Sequence, residues 1–402
     1  MRILLAHNYY QQAGGEDQVF AAESRLLERY GHSVVRWTRQ NSDIADMSRL
    51  RVARNTLWNP DTYRDLKQRI RREKIDVAHF HNTFPLISPS AYYAARSENV
   101  PVIQSLHNYR LMCPGALFYR EGRVCESCMN RAVPWPGVVH SCYRKSRLQS
   151  SGVAGMLTFH RAIRTWSRAV DTYIALSEFS RDKFVEGGFP RERIAIKTNF
   201  LDTDPGKGKR DKRHNKTALY VGRLTEDKGL HVLLAAWREL KQPIPLTIAG
   251  GGPLSDFIRE QTQTMQNVTF LGEVPHAGIV DLMKKAGVLI VPSVWYEFLP
   301  LTIVEAYATG LPVIASNLGS LATLIRHGVT GLHFPAGDHR ALARTVERML
   351  GPESDVGHDI GTMGDNARAA FLADHSAEGN YKALMAIYQR AVARANSRGS
   401  MH

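Results

Sequence analysis

The chain has 402 residues, enough for two α/β domains that each bury a core of their own. A hydrophobic content of 44% with 22% charged residues excludes a disordered or fibrous chain. Lys and Arg total 52 against 38 Asp and Glu, so a net charge of +14 should draw polyanions: nucleic acid, anionic lipid headgroups or phosphorylated substrates.

In chain order, Arg2 to Ala6 reads as a buried strand, too short an apolar run for a signal-peptide core. A loop with Gly14-Gly15 leads into a helix from Gln18 to Tyr30, and Gly31-His32 closes it. Ser33 to Trp37, Ile75 to Phe80, Val100 to Ser105, Asp171 to Leu176 and Ile194 to Thr198 complete the strands of a first domain. Gly152, Met156, Phe159, Ile163, Trp166 and Val170 recur at helical spacing, which reads first as core and second as a face resting on an anionic membrane. From Asp204-Pro205-Gly206 the chain turns basic through Lys207, Lys209, Arg210, Lys212, Arg213 and Lys216, and the domain boundary is placed there. Beyond it, Ala218 to Gly222, Leu246 to Gly250, Val268 to Leu271, Val288 to Val291 and Val313 to Ser316 read as strands. Helices are expected over Leu230 to Leu240, Leu254 to Thr264, Ile279 to Lys285, Ile303 to Thr309, Arg340 to Met349 and Asn380 to Ala395. Strand and helix in alternation imply two parallel sheets covered by helices. No run is long and apolar enough to span a membrane, so a cytoplasmic protein is expected.

Three elements of the second half carry chemistry. Glu297 and Glu305, with seven residues between them, flank Pro300-Leu301-Thr302, which opens a helix after a buried strand. The first-turn N–H groups at Leu301 and Thr302 suit a pyrophosphate. Glu305 can accept from both hydroxyls of a ribose, and Glu297 from hydroxyls of a second sugar. Arg223 and Lys228, on the turn from Gly222 to Gly229, can place fixed cations on a departing diphosphate. Gly250-Gly251-Gly252-Pro253 is a strand-to-helix turn that lets backbone approach a ligand, without the spacing of a dinucleotide fingerprint.

In order and spacing these elements, ending Glu305-Ala306-Tyr307-Ala308-Thr309-Gly310, resemble the family 4 (group 1) retaining glycosyltransferases of the GT-B fold. Asn199-Phe200-Leu201-Asp202 resembles the family's hinge, with Phe200 where Gly is usual, and Phe298 stands where a small residue is more common. The resemblance implies two Rossmann-like domains facing a central cleft: residues 1–203, residues 204–380, and a last helix over 381–402 crossing back to the first. It also implies a UDP- or GDP-sugar donor, a glycan or polyprenyl-linked acceptor of surface polysaccharide synthesis, and no catalytic metal. Gly14 and Gly15 would then lie over the donor phosphates, and His107, after the strand ending at Ser105, would be the active-site histidine. Asp202-Thr203-Asp204 coincides with the hinge and is not expected to bind metal.

Cys113, Cys125, Cys128 and Cys142, the only cysteines, form C-x11-C-x2-C-x13-C in an insert from Tyr109 to Arg144, a spacing suited to structural zinc or to four reduced thiols. With the basic charge, Arg144, Lys145 and Arg147 suggest a peripheral protein on the inner membrane face. Rival readings are another GT-B enzyme, a sugar phosphorylase or nucleotide-sugar epimerase, and a zinc-containing nucleic-acid-binding protein. The linker Lys207 to Lys216 has none of the aromatics that last reading needs, so nucleic acid is not expected as a partner.

Overall fold

The computed structural model describes residues 1–11, 14–208, 216–351 and 360–399. Lys209, Arg210, Lys212 and Arg213 of the basic linker lie outside the described residues. Contacts divide the chain into two units: residues 1–118, 125–198 and 377 onward, and residues 119–124 with 199–376.

Up to the hinge the strands are β1 (Arg2–Tyr9), β2 (Ser33–Gln40), β3 (Val77–Asn82), β4 (Val102–Ser105), the hairpin pair β5 (Tyr119–Arg120) and β6 (Arg123–Val124), β7 (Thr172–Ala175) and β8 (Ile194–Ile196). In the first unit they form a parallel sheet in the order β2-β1-β3-β4-β7-β8. Chain order reverses between β1 and β3, where such sheets open a crevice at their carboxyl ends. Ile3, Leu4, Leu5 and Ala6 are fully buried, as expected for a strand covered on both faces. β3 departs from that rule: His79, His81 and Asn82 are buried in it and must find partners inside. The helix Gly15–Arg29 covers the sheet with Phe20 and Leu27, and Leu384, Ile387, Tyr388 and Ala391 of the helix Ala377–Gly399 close the same core.

The second unit contains β9 (Ala218–Val221), β10 (Leu246–Ala249), β11 (Val268–Gly272), β12 (Val288–Val291), β13 (Val313–Ser316) and β14 (Gly331–Phe334), in the parallel order β11-β10-β9-β12-β13-β14. The reversal here lies between β9 and β12. Leu233, Leu234 and Trp237 of the helix Leu230–Glu239 pack with Ile248, Ile290 and Ile314.

The structure corrects the sequence reading in four places. The boundary expected at Asp204 falls at Asn199, because Asn199 Nδ2 donates to Leu299 O at 2.8 Å and Leu201 N to His375 O at 3.3 Å, tying the hinge to the second unit. The helix expected from Gln18 already starts at Gly15, where the Asp17 carboxylate accepts from Gly14 N at 2.8 Å. β14 was not foreseen, since Gly331-Leu332-His333-Phe334 is short and lacks β-branched residues. The apolar stripe from Gly152 to Val170 is not one core face. The helix Arg147–Ala162 stops at Ile163, Arg164 is left-handed (φ 56°), and Gly152, Phe159 and Ile163 face solvent while Met156, Trp166 and Val170 are buried.

Candidate functional site

In the second unit the loops after β9, β10 and β12 meet at the sheet's carboxyl end. Gly222 N donates to Ala249 O at 3.1 Å, Leu224 N to Gly251 O at 2.9 Å and Leu254 N to Leu224 O at 3.0 Å, so the Gly222 and Gly250-Gly251-Gly252-Pro253 turns are laced together. Gly229 (φ 73°) closes the first turn, and a Cβ there would collide with the Pro292 carbonyl. The Arg223 side chain is exposed.

Lys228 is engaged by Glu297. Its Nζ donates to Glu297 Oε1 at 2.7 Å, and Ser293 Oγ donates to the same oxygen at 2.6 Å. Glu297 is thus fixed at 4% exposure, with Lys228 also 5.2 Å from the Trp295 ring centre. Pro300 caps the helix Leu301–Ala308, so Leu301 and Thr302 supply N–H groups a first turn cannot satisfy internally. Glu305, in its second turn, is buried and takes a hydrogen bond from His276 Nε2 at 2.8 Å. Burial pushes the Glu305 carboxyl above its ordinary range, and His276 partly offsets this. Phe298 is buried beside Leu299.

In the first unit, His7, buried in β1, has Nε2 at 2.6 Å from Asp17 Oδ1, so Asp17 ties the glycine turn at Gly14 and Gly15 to the strand. Burial holds His7 below the usual imidazole range. Glu16 beside it is pushed up to about 8, by burial first and the Asp17 carboxylate second, against hydrogen bonds from Tyr10 and Asn108.

His107 is the end of a buried chain of polar groups. Lys197 Nζ contacts Glu23 Oε1, Glu23 Oε2 lies 3.2 Å from His81 Nε2, and His81 Nδ1 lies 3.1 Å from His107 Nε2. Burial alone would raise the Glu23 carboxyl, but Lys197 and His81 outweigh it and hold the group well below the carboxylate range. Burial first, and His81 second, keep His107 well below the imidazole range and so neutral. The His81–His107 contact engages one nitrogen of each ring and leaves His107 Nδ1 for another partner. His107 and Arg110 line a pocket with Asn82, Thr83, Phe84 and Tyr92.

Glu23, His79 and His81 are close enough together to share a cation, yet the Lys197 ammonium already holds Glu23, and both nitrogens of His79 are engaged at 2.8 Å, by Tyr388 OH and Ser105 Oγ. Asp204 is occupied as well: both its carboxylate oxygens accept from Arg368.

The cysteines gather in the first unit. Gly115 lies against both Cys113 Sγ and the Cys142 Cβ, and Cys142 N donates to Gly137 O at 2.9 Å. Burial, then the neighbouring Cys113, Cys142 and Cys125 thiols, push Cys128 up to about 12 against a hydrogen bond from the Gly137 backbone. Among the described residues no three sulfurs lie within 4.8 Å of one another.

Sequence reasoning found the Gly222, Gly250 and Glu297/Glu305 elements and His107, and missed Asp17, Glu23, His79, His81, Lys197, His276 and Ser293. Two signals were available: histidines two apart in a strand that should be wholly apolar, and Glu23 on the same helix face as Phe20 and Leu27.

Residues 13–205 match the family described as Glycosyltransferase Family 4, and residues 204–363 that described as Glycosyl transferases group 1. The chain belongs to this glycosyltransferase family. Among its relatives, a glycogen synthase of Mycobacterium tuberculosis is 30% identical over 229 residues, 54% of this chain and 55% of that protein. A phosphatidyl-myo-inositol mannosyltransferase of Mycobacterium leprae is 31% identical over 48% of this chain and 53% of its own. The amylovoran biosynthesis glycosyltransferase AmsK of Erwinia amylovora is 32% identical over 46% and 48%. The chain thus spans about half the length of the curated relatives it matches. Over nearly the whole chain the fold is shared with sucrose-phosphate synthase from Thermosynechococcus elongatus (TM-score 0.71, 18% identity, 97% of this chain and 99% of that one). Anabaena HepE in complex with UDP shares it too (TM-score 0.66, 18% identity, 99% and 100%). Among the described residues no helix is long and apolar enough to cross a membrane.

Proposed function

We propose that this family member transfers a sugar from a nucleoside-diphosphate sugar to a hydroxyl of a glycan or lipid-linked acceptor, with retained anomeric configuration. One observation carries the reading: two buried carboxylates, Glu297 and Glu305, bracket the first turn of the helix Leu301–Ala308 at the reversal point of the second sheet. A first turn seats a diphosphate, the carboxylate behind it grips a ribose, and the carboxylate ahead of it meets the sugar. Glu297 already spends Oε1 on Ser293 and Lys228, so its other oxygen is the one offered to a sugar hydroxyl.

As the sugar–oxygen bond to the diphosphate breaks, negative charge grows on the leaving group. Lys228, held beside Glu297, and Arg223 on the same turn stabilise that charge more than the ground state. The held Lys228 and the exposed Arg223 supply the positive charge a divalent ion would otherwise supply, so the transfer is expected to need no catalytic metal. His107, kept neutral by burial, offers Nδ1 to a hydroxyl of sugar or acceptor. We also propose that the four cysteines bind one structural zinc, supported by their spacing and by their gathering around Gly115 and Gly137. The thiols must turn inward to reach it.

That UDP and UDP-glucose occupy HepE favours a uridine donor as the first to test. A panel of UDP- and GDP-sugars, scored by nucleoside-diphosphate release with and without a phosphate-bearing lipid-linked acceptor, tests the reading. Release should be confined to one nucleobase and fall at least tenfold in Glu305→Gln, since a hydrogen bond to a charged group is worth about 1.5–3 kcal/mol. A folded Glu305→Gln turning over at the parental rate would sink the assignment.

A further inference from the structure

From Ser127 to Val170 the chain contains no Asp or Glu, yet it carries Arg131, Arg144, Lys145, Arg147, Arg161, Arg164 and Arg168. About a ninth of the residues therefore supply half of the net charge of +14. The basic side chains are not spread evenly over the helix Arg147–Ala162 at the centre of this stretch. Its inward face buries Val153, Ala154, Met156, Leu157 and His160. Its outward face, Leu148, Gly152, Gly155, Phe159 and Ala162 followed by Ile163, is exposed and uncharged, with Leu148 at 68% and Phe159 at 39%. Water is a poor solvent for such a face, and small residues between large apolar ones let a flat partner come close. The neighbouring helix Trp135–Val139 packs against it and exposes Trp135 at 51% and Val139 at 49%.

Charge sits at both ends of that face. Arg144 and Lys145 are consecutive left-handed residues (φ 51° and 52°) ahead of the Ser146 cap. Neither is glycine, so the turn costs on the order of 1 kcal/mol per residue and persists because Ser150, buried, accepts from Tyr143 N at 3.0 Å. At the other end, the exposed Arg131 and Arg164 line a shallow pocket with Ser167 and Gly188, while the Arg161 guanidinium is held by the Arg131, Leu111 and Met112 carbonyls.

We propose that this face of the first unit docks on an anionic lipid surface, with Leu148, Phe159 and Ile163 in the acyl boundary and the basic side chains at both helix ends among the headgroup phosphates. A helix that is apolar outward and flanked by cations is the arrangement an anionic interface selects. The absence of acidic residues over the whole stretch fits a partner of uniform negative charge better than a protein surface of mixed charge. This inference does not depend on the transfer reading, because binding is measured without substrate.

Flotation with phosphatidylcholine vesicles, with and without phosphatidylglycerol, tests it. The full chain should float with the anionic vesicles only, and less as salt rises. Arg144→Gln with Lys145→Gln and Arg147→Gln should weaken partitioning roughly a hundredfold, since each cation near the surface is worth a factor of about five. Leu148→Ser with Phe159→Ser should abolish flotation while the chain still unfolds cooperatively, and Leu148→Ser alone, at a side chain 68% exposed, should weaken flotation and leave the melting temperature unchanged. Flotation unaffected by either set of changes, equal flotation with neutral vesicles, or none with anionic ones overturns the proposal. So does a concentration-dependent dimer that Leu148→Ser with Phe159→Ser removes, which would assign the face to a second copy.

Discussion

Glu23→Gln is the perturbation that tests the buried histidine chain most directly. The substitution keeps the shape of the side chain and removes its charge, leaving the Lys197 ammonium, 3% exposed, without its carboxylate partner. Breaking one side of a buried pair costs about 3–5 kcal/mol, which for a unit of this size lowers its melting temperature by roughly 6–20 °C. In the parent, Glu23 is held below its unfolded value. Its contribution is therefore complete above the ordinary carboxylate range and is lost as pH falls through the lower folded value. In the variant the sign belongs to a buried lysine that has lost its carboxylate, and burial disfavours its charged form. The unfolded chain then binds more protons, and stability should rise from neutral pH toward pH ~10. Calorimetric unfolding of parent, Glu23→Gln and the double change Glu23→Gln with Lys197→Met, each at neutral and alkaline pH, measures all of this. The double variant should recover most of the loss, since no charge is left buried. A drop under about 2 °C, or a double variant no better than the single one, would refute the claim that this pair is a coupled buried ion pair.

Three further outcomes are expected. Arg223→Ala and Lys228→Ala should each slow turnover about tenfold or more while changing nucleotide affinity in calorimetric titration by far less, because their charge matters most as the diphosphate departs; parental rates in both would remove the phosphate assignment. His276→Ala takes away the group that opposes burial at Glu305, so the acid limb of the activity profile should move to higher pH; an unmoved limb would separate the Glu305 charge from donor binding. Brief exposure to EDTA should leave activity intact, and elemental analysis should find about one zinc per chain in the parent and none in Cys125→Ser with Cys128→Ser. A folded, zinc-free parent with four titratable thiols would leave the cysteines as plain side chains.

The sequence determined the alternation of strand and helix, because buried parallel strands are continuous apolar runs and amphipathic helices repeat every three to four residues. It also determined the turn-borne parts of the candidate site. Gly222, Gly250 to Gly252, Glu297 and Glu305 lie in or beside short loops after strands, where local order along the chain is already spatial order. What it left open were pairings across the chain. Lys197 meets Glu23 from 174 residues away, and Tyr388 reaches His79 from 309 away, so no local spacing announces either. Lys228 was legible as a cation, but only the packed loop shows it bound to Glu297. The helix at Arg147–Ala162 makes the same point with the opposite outcome. Its periodicity announced an apolar stripe, but where the helix ends and which side the neighbouring helices cover decide whether such residues are core or surface. Both depend on the left-handed break at Arg164 and on burial of Val153, Met156 and Leu157 against the rest of the unit, quantities fixed only when the elements pack.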